Sequence, residues 1–418
     1  MTILEKARHV LEQPVCDSCL GRQFGQLLSG YTNAERGKAV RTAAAMSLDK
    51  EKLAEEDKKF DLSNFAKIGF HNLEAGKIIP KKEKACSLCS NIFGNLNKFA
   101  LRANNAVKNI EFRTFVGGSI LPAALLDAEE SLWERVGIDW AESIKAELNR
   151  ELGKRIEKLF KADGRKAEFE PKNPEVVILA DFAKNKVTVQ INPLFIYGEY
   201  QKLVRGIPQT KWPSGKYKTS VEQIMAKPFM RATSGKAHAL HGAGREDIDA
   251  RCFAWRPFVL EITETKKRIF DRAALAKLAK KIAKQVRVRG LRITNMQEVR
   301  TLKAARYEKT YRAIVVCKQS IERADLKKLN AIVGEIRQRT PQRVLHRRAD
   351  KTRKRHVISL KTKYKSKKEF ELVVRGDAGL YIKELISGDS GRTQPSVSGV
   401  LTKDCVCKAL DVIAIHKK

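Results

Sequence analysis

One stretch of the sequence places acidic and basic residues directly before a hydrophobic segment, within residues 241–262. Two glycines come first, and a dense group of charged residues follows them: Arg245, Glu246, Asp247, Asp249 and Arg251. Residues 257–260 form a short, partly aromatic apolar run that is typical of a buried strand. Charges beside such a strand are costly unless they are paired, and two arginines flanking two aspartates could supply the pairing. The stretch therefore indicates either a reactive site or a structural group of ion pairs.

Two Cys-x-x-Cys pairs, Cys16 with Cys19 and Cys86 with Cys89, offer four thiolates. Each pair bends the backbone so that both thiolates can reach one tetrahedral ion, and two pairs complete a structural zinc site with no position open for water. Residues 20–85 separate the pairs, so the fold must bring them together. The alternatives are two unrelated pairs or one redox dithiol. Soft thiolate ligands and the lack of a thioredoxin-like pattern favour zinc.

The chain is strongly basic, with 83 Lys+Arg against 48 Asp+Glu and a formal net charge of +35. Such a charge repels itself unless a polyanion is bound, and nucleic acid suits basic residues that are spread through folded segments. A membrane partner is not expected, because the sequence has no 18-residue apolar run and no cationic amphipathic anchor. The N-terminal residues lack the apolar core of a signal peptide, which predicts a cytoplasmic protein.

Length and periodicity predict two or three domains in the 418 residues. Residues 125–161 are predicted to be helical, because apolar residues recur at helical spacing: Ile144, Leu148, Leu152, Ile156 and Leu159. From about residue 220 helices mix with six or more strands, mostly antiparallel, so the predicted fold class is α+β. The expected domains are a zinc-binding module over residues 1–100, an RNA-binding region over 101–218 and a catalytic domain over 219–418.

Two basic segments have features that suit RNA. Residues 200–218 interleave cations with Tyr200, Trp212 and Tyr217, which could stack on bases, although a solvated linker is the alternative. Residues 343–355 carry seven Lys/Arg against one Asp, which predicts phosphate contacts more strongly than a solvated loop. The candidate RNA-binding residues are Lys202, Arg205, Lys211, Arg343, Arg347, Arg348 and Arg353.

Several motifs occur in the order found in one enzyme family. Residues 244–251, Gly-Arg-Glu-Asp-x-Asp-x-Arg, resemble the catalytic-aspartate motif of the pseudouridine synthases. With the Arg-Pro-Phe that follows, the stretch is similar to the THUMP-containing tRNA pseudouridine synthases of the Pus-ten family. Residues 379–385 resemble that family's Gly-Thr-Tyr-Ile-Arg/Lys motif. The opening Cys-x-x-Cys-Leu-Gly-Arg, the THUMP-like ending Arg-Gly-Ile-Pro-Gln-Thr and the arginine-rich run at residues 339–350 also look like the family. The resemblance covers nearly the whole chain.

The resemblance implies a particular chemistry. Pseudouridine forms when the bond between ribose and uracil N1 breaks, the base turns and C5 is joined to the ribose, without a redox step or an organic cofactor. Asp247 would be the catalytic aspartate, and Lys383 would pair with it. Tyr311 and Leu401 would lie against the flipped base. Tyr311 taken alone is more typical of a strand core, and lysine at position 383 lacks the forked guanidinium contact of an arginine.

By this resemblance the chain is a tRNA pseudouridine synthase with an N-terminal zinc-binding, THUMP-containing region and a C-terminal, mainly antiparallel catalytic domain. It would modify the T-loop uridine at tRNA position 55, and also position 54, as a monomer with no protein partner. One alternative is a non-catalytic, zinc-containing tRNA-binding or chaperone protein. The other is a THUMP-carrying methyltransferase or thiolase, which needs a glycine-rich cofactor loop or a phosphate-binding Ser-Gly-Gly loop. The sequence has neither loop.

Overall fold

The computed structural model describes residues 1–51, 60–71 and 82–417, apart from the side chain of Arg347. The chain forms two compact units, Met1–Asn192 and Pro193–Lys418. Each unit combines helices with a sheet, which confirms the predicted α+β fold class. In the described parts of the chain, no helix combines the length and the hydrophobicity that crossing a bilayer requires.

The first unit begins with helices and continues into a small sheet. Its elements are α1 (Ile3–Val10), α2 (Asp17–Gly21), α3 (Asn33–Glu51), α4 (Leu96–Ala106), β1 (Thr114–Ile120), α5 (Ala123–Val136), α6 (Ile144–Ala162), β2 (Glu168–Phe169), β3 (Val176–Asp181) and β4 (Lys186–Ile191). The strand order is β2-β1-β3-β4. Strand β1 runs parallel to β2 and β3, and β4 closes the sheet antiparallel to β3.

The helix predicted over residues 125–161 is two helices. Helix α5 ends at Val136, and Gly137 follows in a left-handed conformation with φ 77°, which glycine adopts without a steric cost. Helix α6 starts after Ser143, whose Oγ accepts a hydrogen bond from the backbone N–H of Ala146 at 3.2 Å. The prediction that residues 125–161 are helical therefore holds for α5 and α6 but not for residues 137–143 between them.

A single hydrophobic cluster holds the first unit together and draws on residues from Ala7 to Ala180. Helix α6 contributes one buried stripe to it: Ile144, Leu148, Leu152, Ile156 and Phe160. Both sides of the expected boundary between residues 100 and 101 lie in this shared core. The residues before and after that expected boundary are therefore packed in one unit.

The second unit is built on a sheet that contains ten strands within the described residues. Its elements are β5 (Leu194–Lys202), α7 (Val221–Thr233), β6 (Ala237–Gly242), β7 (Arg251–Thr263), α8 (Arg272–Ala279), β8 (Val286–Thr294), α9 (Met296–Ala304), β9 (Glu308–Cys317), α10 (Asp325–Lys328), β10 (Gly334–Arg339), β11 (Thr352–Ser366), β12 (Glu369–Gly376), α11 (Ile382–Ser387), β13 (Thr393–Gln394), α12 (Val397–Leu401) and β14 (Cys405–His416). The order is β13-β10-β11-β12-β9-β14-β7-β5-β8, with β6 on β7.

The pairing explains where the second unit begins. Its strand neighbours are antiparallel except β14 and β7, as expected for a mainly antiparallel domain. Strand β5 is hydrogen-bonded on both sides, between β7 and the edge strand β8. The expected boundary between residues 218 and 219 therefore falls inside the second unit, because β5 cannot be removed without opening the sheet.

Candidate active site and metal centre

The loop of residues 243–250 joins β6 to β7 and carries the aspartates singled out in the sequence. Its backbone is held from both sides: the N–H of Gly206 donates to the carbonyl of Ile248 at 2.9 Å, and the N–H of Ala250 donates to the carbonyl of Asp247 at 3.0 Å. The Lys202 ammonium adds bonds to the carbonyls of Asp247 at 3.2 Å and Ile248 at 2.9 Å. These contacts fix the backbone from which the Asp247 side chain extends.

A buried polar layer lies at the base of this loop. Glu246 and Arg256 form an ion pair with 3.0 Å between Oε2 and Nε, and their side chains are 0% and 1% exposed. The Tyr200 hydroxyl donates to the Glu246 carboxylate at 3.1 Å, and Gln209 donates to the Tyr200 oxygen at 2.8 Å. Burial, with the charge of Glu246, raises the pKa of Tyr200 and keeps the phenol protonated. Arg256 Nη1 also donates to the carbonyl of Ala243 at 2.8 Å, so each of these four side chains has at least one polar contact, as a buried polar network needs.

Breaking this buried pair should be costly. We expect Arg256→Met to lower the free energy of unfolding by about 3–5 kcal/mol, because it leaves the Glu246 carboxylate buried without its cation. Asp404→Asn is the matched control, because it breaks an ion pair on the surface. The side chains of Lys318 and Asp404 are 77% and 62% exposed, so the loss in the free energy of unfolding should be below about 1 kcal/mol. Urea unfolding of both variants measures the difference. Equal costs would contradict this description of the layer.

The Asp247 carboxylate lies above this layer, and its side chain is 34% exposed. Two cations hold it: Arg343 Nη1 is 3.3 Å from Oδ1, and Lys383 Nζ is 3.4 Å from Oδ2. The suggestion that the flanking arginines pair with the aspartates was wrong. Arg251 instead binds Asp411 at 2.9 and 3.0 Å, since β7 and β14 are neighbours in the sheet.

Lys383 lies near the start of α11 and contacts two carboxylates. Its Nζ lies 2.7 and 2.8 Å from the oxygens of Asp249, closer than to Asp247. Burial by itself would raise the pKa of Asp249, but the hydrogen bond and the charge of Lys383 outweigh it and leave that pKa below its usual value. The predicted pairing of Lys383 with Asp247 is present, and the stronger contact is with Asp249.

Tyr311 and Leu401 lie in one hydrophobic cluster of the second unit. Tyr311 is on β9, opposite Val374 of β12 and Val412 of β14, and it packs against the cluster that contains Leu401 and Ala250. Burial raises the pKa of Tyr311 to about 12. Ala250 belongs to the aspartate loop, so this cluster joins the two predicted base-contacting residues to the loop.

Lys202 requires a correction. Its side chain was predicted to contact RNA, but it is buried, because β5 places it between Cys252 and Val286 of the adjacent strands. Burial lowers the pKa of Lys202, while Glu246 and nearby carboxylates oppose that shift. The ammonium binds loop carbonyls, so Lys202 supports the site from below and has no surface to offer to RNA.

Arg205 makes several contacts within the protein, whereas the side chain of Lys211 is exposed. Arg205 donates to the carbonyls of Asp249 and Leu410, both at 2.6 Å, and pairs with Asp411 at 2.5 Å, so it braces the end of the aspartate loop. Lys211 is exposed, and the Trp212 and Tyr217 rings of its segment meet edge to face with 5.5 Å between centroids.

The remaining RNA candidates lie in or after the 3-10 helix Gln342–Arg347. Arg348 is exposed and donates to the hydroxyl of Tyr381 at 2.7 Å. Arg353 is half-buried and donates to Thr340 Oγ1 at 3.1 Å. The side chain of Arg347 lies outside the described part of the chain.

The four cysteines predicted to bind metal come together in the first unit. Their sulfurs all lie within 4.8 Å of one another, and those of Cys16 and Cys89 are 3.7 Å apart. Metal–sulfur bonds of about 2.3 Å in a tetrahedron separate sulfurs by about 3.8 Å, so this group could hold a metal ion. Ser87 joins the distant pairs, because its N–H and Oγ both donate to the carbonyl of Pro14, at 2.8 and 2.9 Å.

Close helix packing positions the first cysteine pair. A Cβ on Gly21 would come within 1.8 Å of the Asn33 carbonyl oxygen, and a Cβ on Gly37 within 1.9 Å of the Asp17 carbonyl oxygen. Only glycine permits α2 and α3 to approach so closely. Arg22 follows at once: it is buried, donates to Cys19 Sγ at 2.7 Å and binds Glu129 at 3.2 Å. This cation beside a sulfur favours a thiolate there, as metal binding requires.

Comparison with known proteins assigns both units to the same class. The second unit matches the family model "Pus10, C-terminal" over residues 195–416, and the first matches "Pus10 THUMP domain, archaeal" over residues 99–181. Both are parts of one class of RNA-modifying enzyme, and the match over 195–416 spans more than half of the chain. A THUMP domain is thus confirmed, over residues 99–181. The Arg-Gly-Ile-Pro-Gln-Thr segment that was expected to end it lies at residues 205–210, within the match of the second unit.

Full-length relatives narrow the assignment. The chain is 41% identical to "tRNA pseudouridine synthase Pus10" of Methanocaldococcus jannaschii, over 96% of this chain and 92% of that protein. It is 39% identical to the protein of the same name from Pyrococcus furiosus, over 99% of this chain and 98% of that one. The chain belongs to the Pus10 family, and it is an enzyme of the isomerase class.

Solved structures add little to this assignment. The chain is similar to a solved structure titled "Crystal Structure of a Cbf5-Nop10-Gar1 Complex", with a TM-score of 0.30 and 16% identity over 51% of this chain and 47% of that chain. A likeness of this size carries no argument about the site, which rests on the geometry and the family.

Proposed function

We propose that this protein isomerises uridine to pseudouridine in tRNA, with Asp247 as its catalytic residue. The observation that carries the proposal is the placement of Asp247: a partly exposed carboxylate between two cations, on a loop whose backbone is braced from below. Its relatives bear the name tRNA pseudouridine synthase. The net charge of +35 supports a polyanionic substrate.

The reaction is balanced without a redox partner. The bond between ribose C1′ and uracil N1 breaks, a bond between C1′ and C5 forms, N1 gains a proton and C5 loses one. Attack of the Asp247 carboxylate on the ribose and removal of a ribose proton by it both require the ionised carboxylate. Arg343 and Lys383 lie within ion-pair distance of its two oxygens. The target base leaves its stack and packs against Tyr311 and Leu401. The residual exposure of Asp247 supports this role.

The target that we propose is the T-loop uridine at position 55, and also the uridine at position 54. The resemblance of the aspartate motif and of the arginine-rich run to the family supports this choice. Loss of tritium from C5-labelled uridine in tRNA transcripts measures the reaction. Replacing uridine 55 with cytidine should remove the tritium release that comes from position 55. Replacing uridine 54 should remove the release that comes from position 54. Undiminished release from a transcript lacking both would exclude the T-loop as the target.

We propose zinc as the metal of the four-cysteine group, with a structural role and no organic cofactor in the reaction. Four thiolates suit Zn²⁺ and leave no open position for water, so this ion would cross-link the start of α2 to residues 86–89. We further propose that the enzyme acts on tRNA as a monomer in the cytoplasm. Light scattering on the purified protein should give one chain of 47.2 kDa.

A further inference from the structure

Arg343 lies between two carboxylates, in a segment that the sequence marked for phosphate contacts. Its Nε is 2.6 Å from Glu384 Oε1 and its Nη2 is 3.4 Å from Glu384 Oε2, so two nitrogens face one carboxylate. Its Nη1 reaches Asp247 Oδ1 at 3.3 Å. The guanidinium therefore spans from α11 to the aspartate loop, and its side chain is 39% exposed.

Glu384 explains why the guanidinium stays there without RNA. The Glu384 side chain is 6% exposed, on the face of α11 that enters the core of the second unit. A carboxylate so deeply buried is costly unless a cation pairs with it, and Arg343 is the cation in contact with it among the described residues. Arg343 is therefore held by a contact within the protein, whereas a solvated side chain would be ordered only when it binds a phosphate.

Lys383, the neighbour of Glu384 in α11, does not by itself fix the orientation of the Asp247 carboxylate. Its ammonium is nearer to Asp249, at 2.7 Å, than to Asp247, at 3.4 Å. An ammonium is also a point charge, which holds a carboxylate close but does not fix the direction of its oxygens. A planar guanidinium anchored at its other edge does fix that direction.

We propose that Arg343 is a positioning residue for Asp247, and that buried Glu384 orients Arg343 for this task. The inference rests on the proposed function, because it assigns Arg343 a role through the Asp247 carboxylate. It differs from the prediction made from the sequence, in which Arg343 contacts RNA phosphates. Two adjacent residues of α11 then act on the same aspartate, Lys383 directly and Glu384 through Arg343.

Single-turnover kinetics separates the two roles. With enzyme saturating over C5-tritiated tRNA, Arg343→Ala should slow tritium release by about 10- to 100-fold, since a misdirected reacting group costs about that much. The dissociation constant for tRNA should change by less than about threefold, and the slope of log binding constant against log salt concentration should stay the same. A phosphate contact would behave in the opposite way: binding and its salt slope would fall, and the rate at saturation would be kept.

Four further variants make the test decisive. Arg343→Lys should recover part of the lost rate, because an ammonium can reach one carboxylate but not span two. Glu384→Gln should slow the same step, and adding it to Arg343→Ala should cause no further loss, since both changes disable one contact. This double variant also relieves the unpaired Glu384 charge and so protects against misfolding. Arg337→Ala removes only a surface pair with Glu335 and serves as the control.

The outcomes distinguish this inference from the proposed function. If Asp247→Asn is inactive and folded Arg343→Ala keeps the full single-turnover rate, Arg343 has no positioning role, although the catalytic assignment stands. If Asp247→Asn is active, the catalytic assignment itself fails. Additive losses from Arg343→Ala and Glu384→Gln would also overturn the proposed chain of contacts.

Discussion

Asp247→Asn is expected to abolish pseudouridine formation, with a loss on the order of 10⁴-fold or more in rate, as for removal of an essential reacting group. The amide occupies the same space beside Arg343 and Lys383 but can neither attack the ribose nor accept its proton. Tritium release from C5-labelled tRNA measures the rate. Because phosphate contacts supply most of the affinity for nucleic acid, the dissociation constant for tRNA should change by less than about threefold.

Asp247→Glu sharpens this prediction. It keeps the charge but extends the side chain by one methylene, which moves the carboxylate away from the geometry that its two cations define. We expect it to be nearly as inactive as the amide, with an unfolding midpoint like that of the unaltered protein. A folded Asp247→Asn that releases tritium at the normal rate would refute the assignment and favour a protein that binds tRNA without modifying it.

The second large effect is expected at the cysteine group. Cys16→Ser should lower the free energy of unfolding of the first unit by several kcal/mol, because structural zinc sites supply about 10–16 kcal/mol of apparent binding energy in small zinc domains. Zinc content should fall from one ion per chain towards zero. Cys16 is only half-buried, so loss of packing contributes little to the expected change. Metal analysis and thermal unfolding of the same samples provide the measurement.

Cys407→Ser is the matched control for the metal prediction. Cys407 is also half-buried, but it lies on β14 and outside the four-cysteine group. Its replacement should leave the zinc content unchanged and the unfolding midpoint nearly so. If Cys16→Ser and Cys407→Ser behave alike, or if a chelator leaves the first unit equally stable, the cysteines are ordinary core residues.

The residues that sequence reasoning found are those whose neighbours in the chain identify them. Asp247 precedes a hydrophobic strand, and Cys16 and Cys19 form a Cys-x-x-Cys pair, so local spacing was enough to single them out. Lys383 was found through a short motif, and it does reach Asp247. Such patterns can be recognised in a sequence because the expected chemistry needs those residue types at those spacings.

The contacts that it missed join residues across long stretches of chain. Arg343 meets Asp247 across 96 positions, and its partner Glu384 is identified only by burial. Lys202 looked like one of several surface cations, yet strand pairing on both sides buries it. Periodicity tells which face of a strand is apolar, but it does not tell which strands will be neighbours.

The limits of the compact units depend on similar long-range contacts. The composition of residues 200–218 resembles a linker, but β5 is hydrogen-bonded on both sides in the second sheet, and the second unit begins at Pro193. The predicted helical range likewise included residues 137–143, although α5 ends before Gly137 and α6 begins after its cap at Ser143. A single glycine and one capping serine are weak signals against a long apolar stripe.

A pseudouridine map of unmodified tRNA transcript, made after incubation with the pure protein and no added cofactor, would show whether the protein modifies tRNA and where. We expect pseudouridine in the T-loop, at position 55 and also at 54, and none with Asp247→Asn. A transcript that is bound tightly but remains unmodified would contradict it.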